Sequence, residues 1–340
     1  AREPITTMSR QRRIKSNHPD TIYHCVTRTV NGEMLFDNSA KETLRKQLHQ
    51  AADFSGVEII TYAIMTNHFH ILVRVPEQKN VSDKELVRRY KVLHPTPSPW
   101  ATMTIEVLEN LLRENSSVAQ KVRDKLLRRM GDLSEFMKTV KQRFSIWFNQ
   151  NHSRFGTLWA ERFTSTVVEG NHHFAMRTVA AYIDLNPVRA GIVRDPKDYR
   201  WCGYGEAEAV GGKMVQGLRS TMAEGEKLDD ATVLAEYRMK LFGKGSTPKR
   251  GDFTSASIPA AELEKTLKAG GKLSAEQRLR LRMRWLTKGA IIGGHQFVNG
   301  HLREYQARTS KRRGMKVRPF ATHAKDDFAE MFSMRGGQDS

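Results

Sequence analysis

Two histidines, His68 and His70, stand one residue apart in the apolar run YAIMTNHFHILVRV (62–75). Side chains on a strand alternate between faces, so both imidazoles point one way and Phe69 the other. At that spacing two imidazoles can grip one divalent metal, although a plain surface pair is the simpler reading of His-x-His. Asn67 precedes the pair at a turn, and Ile71, Leu72 and Val73 carry the run onward. The pair therefore sits near the end of a buried strand. A metal needs a third protein ligand. In AAYIDLNPVRAG (180–191), Tyr182 and Asn186 are four residues apart and share one helical face. With that face over the strand, the Asn186 amide oxygen can reach the metal and the Tyr182 phenol lies beside it. The alternative is a core tyrosine with a wet hydroxyl.

These residues need elements to hold them. TIYHCVTRTV (21–30) alternates as a strand, and Asn31-Gly32 signals a turn. SAKETLRKQLHQAADFSG (39–56) has helical spacing at Leu44, Leu48 and Ala51 or Ala52, with Gly56 as the stop. VEIITYAIM and HFHILVRV follow as two strands about Thr66-Asn67. The order strand, helix, strand, strand begins an α+β sandwich with an antiparallel sheet and helices packed on it. Residues 78–135 read as a helical insertion, opened by the capping box Ser82-x-x-Glu85 and broken at Pro95, Pro97 and Pro99. An amphipathic helix and an aromatic, basic loop fill 137–163, TSTVVEG is a short strand, and HHFAMRTVAAYIDLNP is a helix ended by Pro187. The expected organisation is a basic arm at 1–19, a domain at 20–204, and a linker with a basic helical appendage at 205–340. Within that appendage, TKGAIIGGHQFVNGHL suggests a helix–turn–helix with Gly293-Gly294 as the turn.

Charge points to the partner. The chain has 56 Lys and Arg against 37 Asp and Glu, a net charge of +19 over 340 residues. Residues 271–320 alone hold 13 of the cations and only two acids, Glu276 and Glu304. Such an uneven excess favours a polyanion, most simply nucleic acid. No apolar run approaches a membrane span, and AREPITTMSRQRRIKSNHP lacks the apolar core of a signal peptide. Two distant cysteines, Cys25 and Cys202, fit a reducing compartment. The expectation is a cytoplasmic, nucleoid-associated protein that does not engage membranes.

MTNHFHILV resembles the His-hydrophobic-His (HUH) motif of single-tyrosine transposases, and YIDLNPVRAGIV resembles the tyrosine helix of their REP-associated branch. RFGTLWAERF is similar to that branch's basic, aromatic loop, and YHCVTRTVNGEMLF to its first strand, where the family more often has glycine near Thr29. The resemblance covers roughly 20–204, in the family's order. It implies the ferredoxin-like HUH fold, with His68, His70 and Asn186 as metal ligands, Tyr182 as nucleophile, and Mg²⁺ or Mn²⁺ as cofactor. It further implies strand transfer on single-stranded hairpin DNA through a 5′-phosphotyrosine. The added helical segments depart from small members and can cover the usual dimer edge, so a monomer is expected rather than a homodimer.

Cationic grooves with aromatic platforms suit single strands. Arg154, Trp159 and Arg162 in the loop, and Arg189 in NPVRAG, are the candidate DNA contacts near the tyrosine helix. Arg10, Arg12 and Arg13 can form an arm on phosphates, and Arg312 and Arg313 a C-terminal backbone contact. Three other functions remain open: a domesticated hairpin binder without turnover, a histidine-metal hydrolase with no covalent step, and a relaxase or replication-initiator nickase. No phosphate-binding loop of the GxxxxGK[ST] type accompanies the last.

Overall fold

The computed structural model describes residues 14, 16, 18–77, 80–95, 103–114, 116–223, 225–242, 286, 290–308, 316–320 and 330–335. The expected arm residues Arg10, Arg12 and Arg13, and Arg312 and Arg313, lie outside the described residues. The fold is α+β. Its first part runs β1 (Thr21–Arg28), α1 (Asn38–Ser55), β2 (Glu58–Ile64), β3 (His68–Val75), then, after an insertion, α5 (Leu133–Asn151) and β4 (Thr164–Val168). These four strands lie in the order β2-β3-β1-β4, all neighbours antiparallel. This is the double split β-α-β arrangement of a ferredoxin-like sheet.

Local sequence accounts for the boundaries. The Asp37 carboxylate accepts from the Ala40 amide at 2.7 Å and starts α1. Gly56 ends it in the left-handed region at φ 71°. Leu44, Leu48 and Ala51 of α1 are buried against the sheet. The helix α5 begins at Leu133, earlier than expected, because Asp132 caps it by accepting from the Ser134 and Glu135 amides. The helices α1 and α5 pack on each other and cover one sheet face. Their seam is aromatic, with Phe36, Phe144 and Trp159 in mutual ring contact.

The insertion is helical, as expected: α2 (Asp83–Leu93), α3 (Ile105–Arg113) and α4 (Ser117–Leu127). The Ser82 hydroxyl accepts from the Glu85 amide at 3.3 Å, the first half of a capping box. These helices bury a small core of their own around Leu86, Leu93, Leu108 and Leu126, joined to the main body through Phe54.

On the opposite sheet face lie α6 (His173–Asp184), its continuation α7 (Asn186–Arg189), then α8 (Gly203–Val210), α9 (Lys213–Arg219) and α10 (Asp230–Phe242) nearby. Beyond these, the expectation of a purely helical appendage is corrected. The strands β5 (Ile291–Gly293), β6 (Lys316–Pro319) and β7 (Phe332–Arg335) extend the same sheet to seven strands, β2-β3-β1-β4-β5-β7-β6. The strand β5 runs parallel to β4, pairing Val167 with Ile291. Ile291 and Ile292 are fully buried, β-branched residues, which favours a strand over the expected first helix of a helix–turn–helix. The helix α11 (His295–Arg308) follows the turn at Gly294. Among the described residues, no helix is long and apolar enough to cross a membrane.

Strand β2 closes one end of the sheet, and α9 packs on it. That approach requires glycine. A Cβ at Gly217 would stand 2.5 Å from the Ile60 carbonyl oxygen and 2.6 Å from that of Ile59. We expect Gly217→Ala to destabilise the fold by about 1–3 kcal/mol through this backbone clash, read as a lower urea midpoint at unchanged slope.

Candidate nucleic-acid processing site

The register of β1 on β3 builds the site. Arg28 pairs with His68, Val26 with His70 and His24 with Leu72. Directly opposed residues share a face, so His24, Arg28, His68 and His70 stand on one side. Phe69 turns the other way, into the α1–α5 seam, where its ring meets Trp159. The tyrosine helix α6 packs over β2 and β3 on the histidine side. The ring of Tyr182 lies 6.3 Å from that of His70, edge to face, and the His68 and His70 rings are 5.2 Å apart. The structure thus brings together three of the residues singled out in sequence.

Asn186 has a different local setting than a simple helical face. The helix α6 ends at Asp184, and Pro187 has no amide hydrogen to give the Ile183 carbonyl. The Asn186 side chain replaces it, its Nδ2 donating to the carbonyls of Ile183 at 3.0 Å and Tyr182 at 3.3 Å. This fixes the amide plane and leaves Oδ1 as the atom for another partner. Arg189 lies over the Tyr182 ring, its guanidinium carbon 3.9 Å from the centroid, and donates to the Tyr182 carbonyl at 2.7 Å. Burial pulls its pKa down to about 10, so it still carries its charge at neutral pH.

His70 is buried, and burial foremost, then the neighbouring His68, His24, Arg189 and Arg28, holds its pKa well below the usual histidine value. His24, also buried, is lowered to about 4 by desolvation, against the pull of a hydrogen bond to the Leu286 carbonyl. Both rings are neutral at pH 7, the state in which imidazole ligates a metal. No group of three His, Cys, Asp or Glu among the described residues is arranged to hold a metal. A third side-chain ligand beside His68 and His70 would have to be of another type; Asn186 has an amide oxygen that the two hydrogen bonds above do not use. Two neutral imidazoles and an amide carry no charge, which keeps such an ion strongly electropositive toward phosphate.

The loop residues do not join this site. Trp159 is a correction: its ring is 8% exposed, packed against Phe36, Phe69 and Phe144, and its indole donates to the Lys141 carbonyl. What little of it is exposed borders the cavity beside α5, on the sheet face away from the histidines. Arg154 is paired with Glu33 at 3.0 Å. Arg162 is exposed and lines, with Lys138 and Lys141, an open cavity of about 810 Å³ beside α5, on the sheet face away from the histidines.

Three features of the site escaped the sequence reading. His24 and Arg28 share the β1 alternation with Val26, but only the register places them beside His70 and His68. The exposed Arg28 has no ion-pair partner among the described residues. The third is Asp184, fully buried two residues after Tyr182. It accepts from Thr61 of β2 at 2.9 Å, the Tyr204 amide at 3.0 Å and the Tyr237 hydroxyl at 2.6 Å. Burial raises its pKa to about 6, and these donors hold it from going higher. The carboxylate thereby ties the end of the tyrosine helix to the sheet and to α10. Removing one donor with Tyr237→Phe should cost about 1–3 kcal/mol in global stability, measurable by denaturant titration.

Part of the chain is similar to known proteins. Residues 17–94, which span β1 to α2, match the family described as "Transposase IS200 like". A solved structure of a REP-associated tyrosine transposase bound to a REP hairpin is similar at 15% identity and a TM-score of 0.39, over 60% of this chain and 87% of that one. No curated protein matches the chain. The matched segment, under a quarter of the chain, contains both site histidines, His68 and His70.

Proposed function

We propose that the protein is a metal-dependent endonuclease and strand transferase of single-stranded DNA, in the manner of the REP-associated tyrosine transposases, with hairpin-bearing strands as substrate. The observation that supports this most is the placing of Tyr182 against His70 under the Arg189 guanidinium. Tyr182 is the nucleophile. Its phenolic oxygen attacks the scissile phosphorus, the bond to the 3′-oxygen breaks, and that oxygen leaves as a 3′-hydroxyl while the 5′-phosphate stays on the tyrosine. The proton lost by the phenol balances the one gained at the 3′-oxygen. Reversal by another 3′-hydroxyl rejoins a strand without external energy.

His68, His70 and Asn186 are the residues that would hold the ion. When bound, Mg²⁺ or Mn²⁺ neutralises and orients the scissile phosphate. Arg189 supplies positive charge beside the phenol as negative charge develops on its oxygen. Arg28, exposed on the histidine face and without an ion-pair partner among the described residues, meets the DNA backbone. The basic surface by α5, with Lys138, Lys141 and Arg162, carries a flank of the strand away from the reacting centre. The protein acts as a monomer in the cytoplasm, at the nucleoid.

The test uses oligonucleotides carrying imperfect palindromes, with Mn²⁺ and on a denaturing gel. A slow-migrating covalent protein–DNA band is expected for the wild type and its complete loss for Tyr182→Phe, with hairpin binding retained. Cleavage that survives in Tyr182→Phe would assign the chemistry to a hydrolytic metal site. Binding with no cleavage by the wild type would mark a hairpin-binding protein without turnover. Arg28→Ala should weaken binding and lower the slope of log affinity against log salt by about one, which fluorescence anisotropy across a salt series would show.

A further inference from the structure

We propose that His24 is a positioning residue for the site: it fixes His70 in the tautomer and ring plane that presents Nε2 as a ligand. The inference rests on the metal-dependent reading above. Its ground is a hydrogen-bond chain whose direction is forced from one end. The Leu286 carbonyl has no proton, so in the 2.8 Å contact His24 Nδ1 must be the donor. A neutral His24 then has its lone pair on Nε2. That atom lies 2.9 Å from Nδ1 of His70, which must in turn donate. The proton of a neutral His70 is thereby held on Nδ1, and the lone pair falls on Nε2. The two rings are 22° from coplanar with centroids 5.2 Å apart, so the bond runs edge to edge within both ring planes.

His68 is set the same way by a different residue. Its Nδ1 meets the Asn67 amide oxygen at 2.7 Å, and that amide is oriented by its own Nδ2 donating to the Gly32 carbonyl at 2.9 Å. An oxygen acceptor puts the His68 proton on Nδ1 and the lone pair on Nε2. Two unlike supports, an imidazole and an amide, thus lead to one outcome on adjacent ligands of the same face. Burial alone does not explain His24. A ring 1% exposed in the sheet core is tolerated because both nitrogens are bonded, but an apolar residue there would need no partners at all. What the imidazole adds is direction: it relays an acceptor from the C-terminal part of the chain to the back of a metal ligand.

The inference is tested on the full chain in two ways. In metal-free wild-type protein, ¹⁵N imidazole shifts should report His70 as the Nδ1–H tautomer, and a predominant Nε2–H form overturns the proposal. Calorimetric titration with Mn²⁺ alone should then show affinity falling about 10–100-fold in His24→Phe, which keeps the volume but offers no acceptor. His24→Gln, whose amide oxygen can still accept from His70, should recover most of the loss. Equal Mn²⁺ affinity in wild type and a folded His24→Phe also overturns the proposal, while loss of binding in His70→Ala leaves the metal site itself standing. If wild type binds no Mn²⁺, or His70→Ala binds as well as wild type, the metal-dependent reading fails instead.

Discussion

The antiparallel register that pairs Arg28 with His68 and Val26 with His70 decides which face of the sheet holds chemistry and which holds core. Side chains alternate with a period of two, so a slip of one residue would send both imidazoles into the α1–α5 seam and Phe69 into the site. The seam itself guards against this. Phe69 fits between Trp159 and the apolar helices, where an imidazole would have to give up its hydrogen bonds. Apolar packing on one face thereby specifies polar geometry on the other. A ferredoxin-like unit leaves its second face uncovered by its own two helices, and here that face receives α6 with Tyr182.

The second helix layer is held by polar anchors more than by fit alone. Asp184 binds the sheet through Thr61 and α10 through Tyr237, and Asn186 stands in for the amide that Pro187 lacks. The stretch YIDLNP is thus a compact device: a phenol ring set against His70, a buried carboxylate that clamps the helix, and an amide that finishes it. Each polar group has a structural task, and Tyr182 and Asn186 keep one polar atom for other work.

Much of this was legible in sequence. Alternation marked β1, apolar runs marked β2 to β4, the caps at Ser82 and Gly56 marked helix ends, and the motifs singled out His68, His70 and Tyr182, whose rings the fold gathers. What escaped depended on contacts between distant segments. His24 looks like any histidine in a strand until register sets it behind His70. Trp159 looks like an exposed platform among arginines, because a basic loop says nothing about which of its aromatics turns inward. The C-terminal strands were missed for another reason. They are three or four residues long and sit among arginine-rich stretches, so neither period nor composition set them apart.

Those short strands bear on how the molecule can be divided. The natural place to cut, just after residue 204, follows the change in composition and keeps every motif singled out around His68, His70 and Tyr182. Yet β5 hydrogen-bonds to β4, Tyr237 holds Asp184, and the Leu286 carbonyl closes the contact behind His24. A chain trimmed at that boundary would retain each of the four motif residues and lose the wiring of two. In this protein the later segment is not cargo attached to a finished unit. Gene fusions or deletions that exchange it would exchange part of the interior of the candidate site along with it.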